Sequence, residues 1–77
     1  MQVKVLFFGV LSEVAGSDIR HYQDVRSTED LIHMILDEFP ELEHYSYRLS
    51  LNNEIIETDM PLRDSDEVAL LPPFAGG

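Results

Sequence analysis

Val3, Val5 and Phe7 alternate with Lys4, Leu6 and Phe8 over residues 1–8, and this period of two predicts a β-strand bounded by Gly9. Successive side chains of a strand point to opposite faces, so Leu6 and Phe8 share the face turned away from Val3, Val5 and Phe7. Residues 11–16, LSEVAG, suffice for one helical turn stopped by Gly16. DIRHYQDV, residues 18–25, alternates less cleanly and is charged, which fits a strand at an exposed sheet edge.

The spacing then changes. Leu31, Ile32, Ile35, Leu36 and Phe39 recur at helical intervals and form one apolar stripe, with His33, Asp37 and Glu38 on the other side. Ser27 is placed as the N-cap, Asp30 as its capping-box partner, and the acidic first turn complements the positive end of the helix. Pro40 ends it. Residues 41–47, ELEHYSY, read as a connecting loop. In RLSLNNEII, Leu49 and Leu51 alternate with Ser50, Asn52-Asn53 suits a tight turn, and Ile55-Ile56 lies beyond it, which predicts a hairpin. Residues 58–66 carry the Pro, Asp and Ser of a loop, and EVALL, residues 67–71, reads as a last strand.

The resulting order is ββαβββ, an α+β class in which a mixed sheet buries one face against a single main helix. Residues 1–71 form the domain and residues 72–77 a flexible tail ending in Gly-Gly. In the last strand, Val68 and Leu70 are assigned to the helix side, leaving Glu67, Ala69 and Leu71 outward. Leu71 then joins Leu6 and Phe8 in an apolar patch, with Ile55 added if Ile56 is the inward member of its pair. Unless the loop of residues 57–66 covers it, such a patch marks a partner surface.

Composition narrows the chemistry. Seventy-seven residues make one domain, near the lower limit for a single core without disulfide or metal support. Without cysteine there is no disulfide framework, thiolate site or thiol nucleophile. A net charge of -10 opposes nucleic acid and anionic membranes; solubility explains most of these charges, and steering toward a basic partner is the sharper alternative. Neither a signal peptide nor a membrane span is expected from this sequence, and the expected location is cytoplasmic. His21, His33 and His44 lack metal-ligand spacing, and no serine has a supporting His and Asp pair. Asp59, Asp64, Asp66 and Glu67 lack the calcium-loop pattern and read as a solvated turn.

The chain's candidate chemistry lies in LLPPFAGG, residues 70–77. Extended, residues 72–77 span on the order of 20 Å. Pro72-Pro73 stiffens the first part, Phe74 is suited to a partner's pocket, and Ala75, Gly76 and Gly77 fit a narrow channel. The Gly77 carboxylate becomes an electrophile once activated. Neither a G-x-x-x-x-G-K-[ST] loop nor G-x-G-x-x-G occurs, so the activator is a separate enzyme.

With VKVLFFGVLSEVAG at the start, DMPLRDSDEVALLPP near the end and a terminal AGG, the chain resembles the sulfur-carrier subunits of molybdopterin synthase. These belong to the ubiquitin-like β-grasp family, which also contains the thiamine-pathway sulfur carrier. Leu62, Asp64, Asp66, Glu67 and Val68 match that family's L-x-D-x-D-E-V phrase. The resemblance implies first and last strands lying parallel in mid-sheet, and adenylation of Gly77 by an E1-like enzyme using ATP and magnesium, the chain itself binding no cofactor. A sulfur donor protein then yields a Gly77 thiocarboxylate. The tail, Pro72 to Gly76, enters the large synthase subunit, and sulfur passes to precursor Z, cyclic pyranopterin monophosphate, within a heterotetramer. By the same resemblance, Phe8, Ile55 and Leu71 fall at partner contacts. A ubiquitin-like protein tag, a thiamine-pathway carrier and a pure binding module are the competing readings.

Overall fold

The computed structural model describes residues 1–73 of the chain. Strand β1 (Gln2–Phe7) is followed by helix α1 (Val10–Ala15), strand β2 (Ile19–Gln23), helix α2 (Thr28–Glu38) and a 3-10 helix (Pro40–His44). Strands β3 (Arg48–Leu51), β4 (Glu54–Ile56) and β5 (Glu67–Leu71) complete it. They form one sheet of order β2-β1-β5-β3-β4, in which β1 and β5 are parallel and central and the other pairs are antiparallel. This is the β-grasp arrangement, with β2 at an edge as its polarity predicts.

Local chemistry accounts for the element ends. Gly16 closes α1 with φ 70°, a left-handed conformation that glycine adopts without a Cβ penalty. Ser27 caps α2, its side-chain oxygen accepting from the Asp30 N–H at 3.2 Å. Asn52 and Asn53 both have positive φ, 49° and 73°, as the two-residue β3-β4 turn requires.

Val3, Val5, Phe7, Val68 and Leu70 are buried on one face of the sheet, and Leu31 and Ile35 are buried on α2. Ile32, Leu36 and Phe39 pack beside them, and the Phe7 and Phe39 rings meet edge to face at 5.9 Å. The segment after α2 corrects the loop expected there. Pro40 starts a 3-10 helix over its first part, and Leu42 is 0% exposed in the core. A lone leucine among polar residues carries no periodicity, so only the packing reveals its role.

The acidic turn also departs from expectation. Its carboxylates are hydrogen-bond acceptors instead of merely solvated groups: Asp64 accepts from the Gln2 N–H at 2.8 Å, and Asp66 from the Arg63 N–H at 2.7 Å and the Asn52 amide at 3.0 Å. Leu62 is buried beside them, and Glu67 pairs with Lys4 at 3.8 Å. Together they hold the start of β5 between β1 and the β3-β4 turn, so β5 runs up the middle of the sheet and its end emerges at the opposite side.

Candidate functional site

One row of side chains crosses the outer face, away from α2. Ile19 opposes Leu6, Leu6 opposes Ala69, Ala69 opposes Ser50 and Ser50 opposes Ile55, so the row spans every strand. Ile19 and Ile55 are 45% and 49% exposed, whereas Ala69 and Ser50 are small and buried between larger neighbours. The row therefore has a low middle and raised apolar shoulders. Leu49 pairs with Ile56 and with the buried Leu70, which puts Ile56 on the core side and Ile55 outward.

Above this row lies the end of β5. Leu71 opposes Arg48, and the Phe8 N–H donates to the Leu70 carbonyl at 3.2 Å, which brings Phe8, 45% exposed, alongside Leu71. Leu6, Phe8, Ile55 and Leu71 thus share one face, with Leu6 and Leu71 half-buried. The loop of residues 57–66 starts beside Ile55 and Ile56, and its later part, from Met60 to Asp64, is tied away from this end to Gln2, Arg26 and Thr28. Isolated exposed apolar residues are ordinary, whereas here they form one row across the outer face.

Gly9 sets how the chain leaves this face. Its φ of 58° and ψ of -136° suit glycine, and a Cβ there would lie 3.0 Å from Pro72 Cγ. Pro72 is half-buried and Pro73 exposed. No local sequence pattern signals the contributions of Gly9 and Ile19. Gly9 meets its partner from the far end of the chain, and Ile19 sits in a strand whose alternation is weak. Phe74, Ala75, Gly76 and Gly77 lie outside the described residues.

Elsewhere Tyr22, Arg20, Glu38 and Asp59 have structural partners. Tyr22 donates to Glu38 at 2.5 Å, Glu38 also pairs with Arg20, and Arg20 stands 5.3 Å over the Phe39 ring. Burial and then the Glu38 bond push the Tyr22 hydroxyl well above the ordinary tyrosine range, so it stays a proton donor. Asp59 accepts from the Glu29 N–H at 2.9 Å and the Thr28 hydroxyl at 3.1 Å, and the Glu29 bond chiefly holds its pKa below the usual aspartate value. Among the described residues no metal-binding cluster of His, Cys, Asp and Glu forms, and no helix is long and apolar enough to cross a membrane.

Comparison with known proteins agrees with this geometry. The sequence model of the ThiS family matches residues 5–77. The chain belongs to the ThiS family. The molybdopterin synthase sulfur carrier subunit of Chlamydomonas reinhardtii is similar to this ThiS-family chain at 37% identity, with both chains covered in full. A chain in the complex of subunits 1 and 2 of the molybdopterin-converting factor from Helicobacter pylori 26695 is 30% identical with a TM-score of 0.75, again over the whole of both chains. The solution structure of small archaeal modifier protein 1 from Methanosarcina acetivorans has a TM-score of 0.84 at 26% identity, covering 99% of this chain and 96% of that one.

Proposed function

We propose that this chain is the sulfur-carrying small subunit of a molybdopterin synthase, with Gly77 as its reactive residue. The observation that carries the reading is the position of Leu71: the last outward residue of β5 lies on the same apolar face as Leu6, Phe8 and Ile55. A partner that grips this face receives the chain end that follows. The names of the similar carrier subunits and the Helicobacter pylori complex support a large synthase subunit as one such partner.

The chemistry follows from the end group. A Gly77 carboxylate oxygen attacks the α-phosphorus of magnesium-bound ATP on an E1-like enzyme, giving an acyl adenylate and releasing pyrophosphate. A persulfide sulfur of a donor protein displaces AMP, and a thiol cleaves the resulting acyl disulfide to leave the thiocarboxylate. In the large subunit that sulfur bonds to precursor Z, and water cleaves its bond to the Gly77 acyl carbon, which restores the carboxylate. Pro72 and Pro73 set the reach, Phe74 anchors, and Ala75 and Gly76 thread the channel. ATP and magnesium belong to the activating enzyme.

The test is the intact mass of the chain co-produced with its activating enzyme and sulfur donor. Sulfur in place of one oxygen at Gly77 is expected, and deletion of Gly77 abolishes molybdopterin formation without altering the fold. A carboxylate unchanged under cofactor-producing conditions overturns the proposal. The likeness to an archaeal modifier protein favours one second reading, conjugation to target lysines. A ladder of larger conjugates would reveal it. Co-purification with a thiamine-pathway enzyme, in place of a pterin-binding subunit, would identify a thiamine-pathway carrier.

A further inference from the structure

Among the described residues, no strand pairs with the outer edge of β2, and of its outward groups the Ile19 carbonyl accepts the Ser17 hydroxyl at 2.8 Å. The Phe7 N–H donates to the Asp18 carbonyl at 2.9 Å and the Asp24 N–H to the Met1 carbonyl at 3.0 Å. Those pairs set the phase of the antiparallel ladder: Arg20 and Tyr22 bond to β1, while Ile19, His21 and Gln23 turn their N–H and C=O groups outward. Strand edges are usually guarded by proline, lysine or a bulge. The β2 sequence IRHYQ has neither proline nor lysine and its register against β1 is unbroken, so the inward-turned charge of Arg20, over Phe39 and paired with Glu38, is what the strand itself carries as a guard.

Below the edge a shallow, open depression lies between β2 and α2, bridged by the contacts of Tyr22 and Arg20 with Glu38. Tyr22 lines it from the strand, with Met34, Asp37 and Glu38 from the helix, and Met34 is 37% exposed. Arg20 pairs with Glu38, and the ion pairs among the described residues leave Asp37 out. Asp18 and Asp24, both exposed, flank the two ends of the strand. The edge thus offers backbone groups, an apolar seat at Met34 and negative charge on the rim and at both ends.

We infer that the β2 edge accepts an extended basic peptide segment of a partner protein, added as a further strand, with an apolar side chain over Met34 and Lys or Arg facing Asp37, Asp18 and Asp24. A second copy of the chain is the poorer occupant. The register that pairs the whole of two β2 strands, centred on His21, sets Asp18 against the other copy's Asp24 at both ends. Like charges directly opposite one another destabilise a strand pair, and each chain carries a net -10. A cationic strand turns the same contacts into attractions. This surface stands whether or not the sulfur-carrier reading holds.

The test is titration of the isotope-labelled full chain with the peptide KRVIVRK, followed by amide NMR. Saturable shifts centred on Ile19, His21 and Gln23 are expected, with slowed hydrogen exchange there and affinity falling roughly tenfold from low to physiological salt. The acidic peptide EDVIVDE should not bind. Asp37→Lys should weaken KRVIVRK roughly tenfold, the loss expected of one reversed charge contact. His21→Pro, which removes an outward N–H and no ladder bond, should weaken it while leaving the other β1-β2 amides unshifted. Absence of saturation at millimolar peptide, equal response to both peptides, or shifts centred on Leu6, Ala69 and Ile55 would overturn the assignment. Concentration-dependent shifts of β2 amides in the chain alone would give the edge to a second copy and overturn it equally.

Discussion

Pro72 closes over Gly9, with its Cγ 3.0 Å from where a Cβ on residue 9 would stand. The turn after β1 and the first residue after β5 therefore share one small space at the end of the two central strands. Glycine serves there twice, through its positive φ and through the missing side chain. Direction of the chain out of the domain is set by this contact, close to the exposed ring of Phe8.

Gly9→Ala should strain the turn and push Pro72 away. A loss of about 1 to 3 kcal/mol is expected from the disfavoured backbone conformation alone. Urea unfolding measures the loss, and shifts of the Leu71 amide report the displaced proline. An unchanged unfolding midpoint together with an unshifted Leu71 amide would show that the contact is dispensable.

Ile55→Glu places a charge on the raised shoulder of the outer face. Because Ile55 is 49% exposed, stability should change by less than about 0.5 kcal/mol. Affinity for the large synthase subunit should fall at least roughly tenfold, the effect of losing an apolar interface anchor. Calorimetry on the purified pair separates the two effects, and full affinity in the variant would remove Ile55 from the interface.

Leu42→Ala should be costly although its neighbours in sequence are polar. The side chain is wholly buried among core residues, and truncation there is expected to cost about 2 to 5 kcal/mol. Thermal or urea unfolding gives the number directly. A cost below about 1 kcal/mol would mean that the 3-10 helix shifts to fill the gap.

Asp59 links the 57–66 loop to the first turn of α2, and its folded pKa is held below the ordinary aspartate value by the Glu29 N–H. A depressed folded pKa contributes stability that is present above the unfolded pKa and lost as pH falls through the folded one. Asp59→Asn should therefore lose less stability than the parent on acidification below the usual aspartate pKa. Parallel urea titrations across that window check it, and carboxyl-carbon NMR of Asp59 locates the folded pKa. Identical acid dependence in parent and variant would contradict the assignment.

Much of the fold is legible in short stretches. The cap at Ser27, the stop at Gly16 and the Asn52-Asn53 turn each depend on neighbours within a few residues, and each is found as the sequence predicts. The L-x-D-x-D-E-V phrase was legible as a motif but not as a device. Its carboxylates find Gln2 and Asn52, which no local pattern joins to residues 64 and 66. Because β2 alternates weakly, the place of Ile19 beside Leu6 follows only from pairing between strands.

By itself, the sequence determined which side chains share a face of each element, since a period of two or of 3.6 residues is a local property of the backbone. It also placed Leu6, Phe8 and Leu71 together on outward positions of the first and last strands. Tertiary structure alone decided how the strands register against one another, because that depends on hydrogen bonds and packing between residues far apart in the chain. Through that register Ile19, Leu6, Ala69, Ser50 and Ile55 become a single row, and Pro72 comes to rest on Gly9.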